Sequence, residues 1–443
     1  MLSKKLKKVT SVIIAVFLSM SLVACGGDYV NETIDTANLI NPAESFDKSA
    51  SIEETVLADK SGIKITAKSL TYSGYKVIIN LLMENNSGND ISILSNTLAC
   101  SSNSVNSYMI KGGYLNCDIS AGGRAEDTMS FDIQELILHN INSIAELDLV
   151  FYIDFDDYDV KDVLIESAKI ETTLYDTYDY SKEGFENSLK NKNLKNWYGF
   201  SVDKESKDEI SLTDTIGITY QAMITNKDEN KMMVVNVENA SQSPINVYIK
   251  NMYINGLHVA DSVEYGEITP EKSYAAAVQI NSILDVERME LLGMKDIGKV
   301  KYTFIAETTD RELITQKDIE FDVSKKDKFD DSGEVVFDQN DITIIYKGTI
   351  PSDSEYSKYT YVLFLVKNNS SKRIYVDDLN ATLANKINVT SITYGSYVEP
   401  GECAFIDSKI TDIDNLSQLQ MSFKVTDDDN NIVAAPLINI NCQ

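Results

Sequence analysis

Three stretches of this chain follow one pattern, and that repetition limits the folds open to it. Val77 to Ile93 reads V-I-I-N-L-L-M-E-N-N-S-G-N-D-I-S-I, Met233 to Ile249 reads M-V-V-N-V-E-N-A-S-Q-S-P-I-N-V-Y-I, and Tyr361 to Asp377 reads Y-V-L-F-L-V-K-N-N-S-S-K-R-I-Y-V-D. Each is an apolar run, an Asn-x-Ser and a second β-like run. The residue that restarts the second run (Ile91, Ile245, Ile374) lies six positions after the Asn (Asn85, Asn239, Asn368). A strand, turn and strand written three times argues for a repeated domain.

Other landmarks recur in the same order. Two short alternating runs precede each unit: Glu54-Thr55-Val56-Leu57 and Gly62-Ile63-Lys64-Ile65, then Glu209-Ile210-Ser211-Leu212 and Gly217-Ile218-Thr219-Tyr220, then Glu334-Val335-Val336-Phe337 and Asp341-Ile342-Thr343-Ile344. A turn follows each unit, Ile119-Ser120-Ala121-Gly122, Ile268-Thr269-Pro270-Glu271 and Val398-Glu399-Pro400-Gly401. Pro presets the backbone there and Gly tolerates positive φ. Asp132 to Asn140 and Asp285 to Met294 have the spacing of one or two helical turns. A late strand then alternates: Ile144, Leu147, Leu149, Phe151; Ile297, Val300, Tyr302, Phe304; Leu416, Leu419, Met421, Phe423. Alternate residues of a strand share a face. Leu149, Tyr302 and Met421 are therefore expected in their respective cores, with Val235 and Leu363 of the central strands.

Seven or eight strands per unit of somewhat over 100 residues is the count of an immunoglobulin-like sandwich, with a closed barrel as the alternative. The expected fold class is all-β: three tandem immunoglobulin-like β-sandwich domains after a lipoprotein signal peptide and a flexible tether. The boundaries fall at residues 1–24 (signal peptide), 25–53 (tether), 54–172 (first sandwich), 173–208 (aromatic-rich connector), 209–325 (second sandwich), 326–333 (short linker) and 334–443 (third sandwich).

Four lysines, Lys4, Lys5, Lys7 and Lys8, precede an uncharged apolar run from Val12 to Val23, too short to span a bilayer stably. The run ends in Leu22-Val23-Ala24-Cys25-Gly26. This resembles the lipobox of bacterial lipoproteins, which implies a diacylated Cys25 at the new N-terminus and a partner in the lipid bilayer, on the extracytoplasmic face of the cell membrane. Acyl chains hold such a protein without a spanning helix. The net charge of −28 becomes −32 once the leader, with four lysines and no acid, is removed. Such a balance repels phosphate backbones and anionic lipid heads, which excludes nucleic acid, and it favours solubility, cations or basic partners. The strand ending in Asn-x-Ser, the Pro-Gly turn and the late strand also resemble the tandem immunoglobulin-like domains of Gram-positive surface lipoproteins, many without an assigned function.

The connector offers the best candidate binding surface. Tyr175, Tyr178, Tyr180, Trp197 and Tyr198, interleaved with Asp176 and Asp179, combine ring faces for stacking with carboxylates for hydroxyl groups, as a saccharide requires. The alternative is that the rings pack on the flanking sandwiches. Acidic clusters at Asp154 to Asp159, Asp330-Asp331 and Asp427 to Asp429 lack the spacing of a calcium loop and read as solvated turns. The Asn-x-Ser triplets match a glycosylation sequon but read as turn formers. Cys100 and Cys117, and Cys403 and Cys442, are candidate disulfides or buried thiols. Two histidines, His139 and His258, read as surface residues, and no catalytic motif is present. The expectation is a non-catalytic binding or structural module without metal or cofactor, whose partner is a surface protein or a glycan, with carbohydrate binding through the connector as a second reading and an envelope enzyme as the third.

Overall fold

The computed structural model describes residues 40–96, 103–157, 159–325, 328–354, 357–383, 388–389, 391–393, 395–411 and 418–441. In the first unit one sheet runs Thr55–Lys60, Ile63–Ser73, Lys76–Asn85, Arg124–Asp132, and the facing sheet runs Val163–Glu171, Glu146–Phe155, Ile91–Ser95, Leu115–Ile119. The chain changes sheets after Asn85 and again after Ile119, which is the Greek-key crossing of an immunoglobulin-like sandwich. The second unit repeats the order with Phe200–Ser206, Ile216–Asn226, Lys231–Asn239, Lys272–Gln279 against Leu313–Asp322, Lys299–Thr308, Ile245–Ile254, Leu257–Ile268. The third places Glu334–Gln339, Ile342–Ser354, Ser357–Asn368, Cys403–Thr411 against a sheet built on Gln418–Asp427, Ile374–Leu383 and Ser396–Val398. The fold is all-β and the repeats are sandwiches. Leu149, Tyr302, Met421 and Val235 are fully buried, while Leu416 lies outside the described residues.

The Asn-x-Ser turn explains why the pattern recurs. Asn85 is 0 % exposed; its Nδ2 donates to the Asn89 carbonyl at 2.8 Å and the Ile119 carbonyl at 3.0 Å, while its Oδ1 accepts from the Ser87 N–H and hydroxyl. Asn239 repeats this with Ser243, Ile268 and Ser241, and Asn368 with Lys372, Val398 and Ser370. The side chain thus pins the sheet-changing corner to the turn 29 to 34 residues on, satisfying backbone groups that burial would otherwise leave unpaired. An amide so placed is no glycan acceptor. The downstream turn is also conserved in shape: Gly122, Glu271 and Gly401 all have positive φ, at 72°, 59° and 78°.

Short helices close the sandwich ends. α1 (Ile133–Leu138) is capped by Asp132, whose carboxylate accepts from the Gln134 N–H. In the connector α2 (Phe185–Ser188) and α3 (Lys192–Tyr198) follow, and α4 (Ile280–Ile283) and α5 (Val286–Leu291) belong to the second sandwich, α5 capped by Asp285. A carboxylate at the cap satisfies an orphan N–H.

Adjacent sandwiches share sheets. The second sheet of the first joins the first sheet of the second by a parallel bridge between Tyr108 and Ser273, and the next pair joins in the same way at His258 and Ala404. Each sandwich also covers the outer face of the sheet that follows. Phe185, Leu189 and Tyr198 form one apolar cluster with Phe200, Tyr220, Ala222, Val234 and Ala275 of the second sandwich. Leu291 of α5 lies against Gly348 of the third and packs on the apolar cluster in which Leu363, Leu365 and Phe405 of the third join the core of the second.

Four expectations change. Residues 40–53 are no tether: Ala43, Phe46 and Ala50 are buried in the first core, and Ser143 donates to the Asp47 carbonyl. The second sandwich starts at the edge strand Phe200–Ser206 rather than at residue 209. Leu363 is buried, but against the second sandwich rather than in its own core, because Ser357–Asn368 is covered on both faces. His139 and His258 are buried, not surface, residues.

Candidate functional site

The five rings expected to form one surface separate into two groups. Tyr198 is buried, its hydroxyl donating to the Gln134 carbonyl of α1, and Trp197 packs beside it with an unpartnered Nε1. Gly199, with φ 65°, ends α3 and turns the chain into Phe200–Ser206, so these two rings serve the core. Tyr178 and Tyr180 meet edge to face at 5.1 Å, and Tyr180 is 37 % exposed. Tyr175 is half-buried nearby.

Beneath Tyr178 lies a polar cluster that the sequence did not announce. Asn106 donates to Glu183 Oε1 at 2.6 Å and to the Ser143 carbonyl at 2.9 Å, while its Oδ1 accepts from the N–H groups of Ala145 and Glu146. Burial pushes the Glu183 carboxyl up to about 8, although hydrogen bonds from Tyr178 and Asn106 oppose the shift. Glu183 is therefore a neutral acid at pH 7. Lys272, 4 % exposed and contributed by the second sandwich, lies 3.7 Å from Glu146 and 3.6 Å from Asp148 of the first. Ser107 and Ser167 complete the hydrogen bonding of those two carboxylates. His139 sits between Tyr108 and Phe185 with its Nδ1 unpartnered, and burial lowers it to about 4. The short hairpin Ser104–Val105 and Tyr108–Met109 carries Asn106, and its Met109 enters the core of the second sandwich. No motif marks this hairpin in the sequence.

A second polar row spans the junction of the second and third sandwiches. Ser396 Oγ lies 3.2 Å from His258 Nδ1, and His258 Nε2 lies 3.5 Å from Asp261 Oδ1. These are the residue types of a nucleophilic relay, but a nucleophile must be reachable. Ser396 is buried, and His258 is 2 % exposed, stacked on Tyr253 at 4.9 Å and lowered by burial to about 4. Tyr253 bonds Glu402, and Asp261 accepts from the Tyr397 N–H, so the row works as a latch between sandwiches. Arg288 of α5 adds a pair to Asp407 at 2.6 Å and lies 4.3 Å over the Tyr361 ring.

The acidic turns are held by their own surroundings. Asp427 accepts from Asn431 and pairs with Lys372, Asp428 pairs with Arg373, and Asp331 pairs with Lys367. Asp90, Asp118, Asp154, Asp156 and Asp157 line an open cavity of about 480 Å³, yet among the described residues no group of side chains has the arrangement of a metal site. Cys117 and Cys403 are buried free thiols, Cys403 raised by burial to about 12. Cys25, Cys100 and Cys442 lie outside the described residues.

No family profile matches the sequence, and no curated protein sequence matches it. Among solved structures, the chain is similar to the exo-chitosanase CsxA of Amycolatopsis orientalis at 9% identity and TM-score 0.17, covering 58% of this chain and 28% of that one. It is similar to a structure from a 1.5-MDa bacterial ice-binding adhesin at 8% identity and TM-score 0.13, covering 83% and 90%. The BSP domain of a biofilm associated protein gives 9% identity and TM-score 0.14, covering 91% and 67%. Likenesses at these TM-scores carry no functional argument.

Proposed function

We propose that the protein is a membrane-anchored extracytoplasmic lipoprotein acting as a non-catalytic binding or structural module. The observation that carries this reading is the covering of each sandwich by the one before it. The polar cluster at Lys272 and the row at His258 are both spent on holding neighbours together, so that exposed surfaces keep a fixed relation to one another. Cys25 in its lipobox-like setting supplies the anchor, and a charge of −32 on the mature chain favours a basic partner. Cys25→Ser removes the thiol that would take the lipid, so the variant should remain unprocessed or be shed. Equal processing and membrane retention would overturn the reading.

Carbohydrate binding is the second reading, on a narrower base than five rings. Tyr180 presents an exposed edge beside Tyr178, Asp176 and Asp179. Glycan-array binding lost in Tyr180→Ala would support it, and binding indifferent to that change would remove the connector from consideration.

A further inference from the structure

The start of the described chain meets a local reversal of charge. Asn187 to Val202 contains Lys190, Lys192 and Lys195 and no acid, in a chain with 68 acids and 40 basic residues. Lys190 and Lys192 are exposed and Lys195 is half-buried. Lys190 bonds Asn187, and none of the three has a carboxylate within salt-bridge distance among the described residues, although Glu205 lies within electrostatic reach of Lys190. Elsewhere lysines are commonly matched, as Lys231 is by Asp203 and Lys299 by Glu320.

The chain leading from the anchor arrives at this patch. Asn193 of α3 donates to the Ile40 carbonyl at 2.9 Å, and Ile40 is 64 % exposed. Asn41, Ala43 and Phe46 then lock the segment down, Ala43 and Phe46 in the same apolar cluster as Leu194 of α3. Fifteen residue steps separate Cys25 from Ile40, and an extended chain covers at most about 3.6 Å per step, so Ile40, which bonds α3, lies no farther than about 55 Å from Cys25. Along the chain the nearest acids are Glu186, four residues before Lys190, and Asp203, eight residues after Lys195, while the exposed Glu44 sits on the helical turn Pro42–Ser45 that packs on α3.

We propose that the face formed by Lys190, Lys192 and Lys195 is the membrane-facing surface of the anchored protein and contacts anionic lipid headgroups. The proposal rests on the lipoprotein reading. Basic residues beside an anionic leaflet are attracted over about one Debye length, so only local charge counts, and the acids of distant sandwiches are screened. Tethering supplies the proximity that so acidic a chain would not reach alone.

The single tryptophan of the chain, Trp197, lies on α3 and is the probe. Acylated protein would be reconstituted into vesicles of phosphatidylcholine alone or mixed with phosphatidylglycerol, each with a headgroup spin label, and Trp197 quenching measured. Strong quenching is expected in the phosphatidylglycerol vesicles, weakened by salt. In a Lys190→Glu, Lys192→Glu, Lys195→Glu variant with unchanged melting temperature it should fall at least severalfold. Equal quenching in both vesicle types, or in the variant, would overturn the proposal. The mass of the N-terminal peptide reads acylation of Cys25 separately: an acylated protein without quenching defeats only the surface assignment, whereas an unmodified Cys25 defeats the lipoprotein reading beneath it.

Discussion

The two junctions between sandwiches join the same pair of edges by different means. At the first, inserted pieces do the work: the hairpin carrying Asn106, the connector helices, and Lys272 buried against Glu146 and Asp148. At the second, the regular elements do it themselves, through Arg288 on Asp407, His258 beside Ser396, and the pocket for Leu363 and Phe405. A long connector is therefore not a loose one. Its aromatic rings and two short helices fill the space that at the second junction is filled by α5.

The contrast is sharpest at the charges. Lys272→Met leaves Glu146 and Asp148 buried without their cation, and removing one partner of a buried pair costs about 3–5 kcal/mol. Arg288→Met leaves Asp285 and Asp407, both nearer solvent, and should cost clearly less in the same thermal melt. Equal losses would mean that the first junction has no special dependence on its buried ions. Leu363→Ala should cost about 2–5 kcal/mol, as core truncations do. Because its side chain faces the second sandwich, the loss should appear in exchange rates of amides on both sides of that junction. Protection lost in the third sandwich alone would place Leu363 in its own core after all.

The first junction also carries a pH signature. Glu183 holds its proton in the folded protein up to about pH 8, whereas an unfolded glutamate has lost it by about pH 5. The folded state thus binds one more proton across that window, and stability falls with rising pH by up to about 1.4 kcal/mol per unit. The contribution is fully present below the unfolded value and gone above the folded one. Glu183→Gln, which mimics the neutral acid, should flatten the melting temperature between pH 5 and 8 relative to the parent; parallel curves would show that Glu183 is ionised. The smallest effect is expected in the turn beside the first junction: Glu271→Gly relieves a left-handed backbone and should stabilise by about 1 kcal/mol, read as a small rise in melting temperature.

Strand phase was readable because period two reports which residues share a face: Leu149, Tyr302 and Met421 are buried as that period requires. It does not report what covers a face, and so Leu363 was assigned to the wrong core. The edge strand Phe200–Ser206 escaped notice since only Phe200 and Val202 are apolar and its other side chains meet water. Residues 40–50 looked like a tether because their few apolar residues keep no period; Ala43, Phe46 and Ala50 dock singly into gaps rather than along one face. Of the candidate site, the rings were visible but their division was not, since it depends on where Gly199 reverses the chain. The buried cluster around Asn106 and Lys272 brings together residues more than 160 positions apart, which no local pattern encodes.

Heat-capacity scanning of the mature chain tests the shared cores most directly. A lone sandwich of roughly 110 residues should unfold with an enthalpy of about 75 kcal/mol. With the apolar clusters running across both junctions, fewer than three transitions are expected, at least one with a van't Hoff enthalpy near 150 kcal/mol or above. Three resolved transitions, each with the enthalpy of one sandwich and none shifted by Lys272→Met or Leu363→Ala in its neighbour, would contradict the coupling.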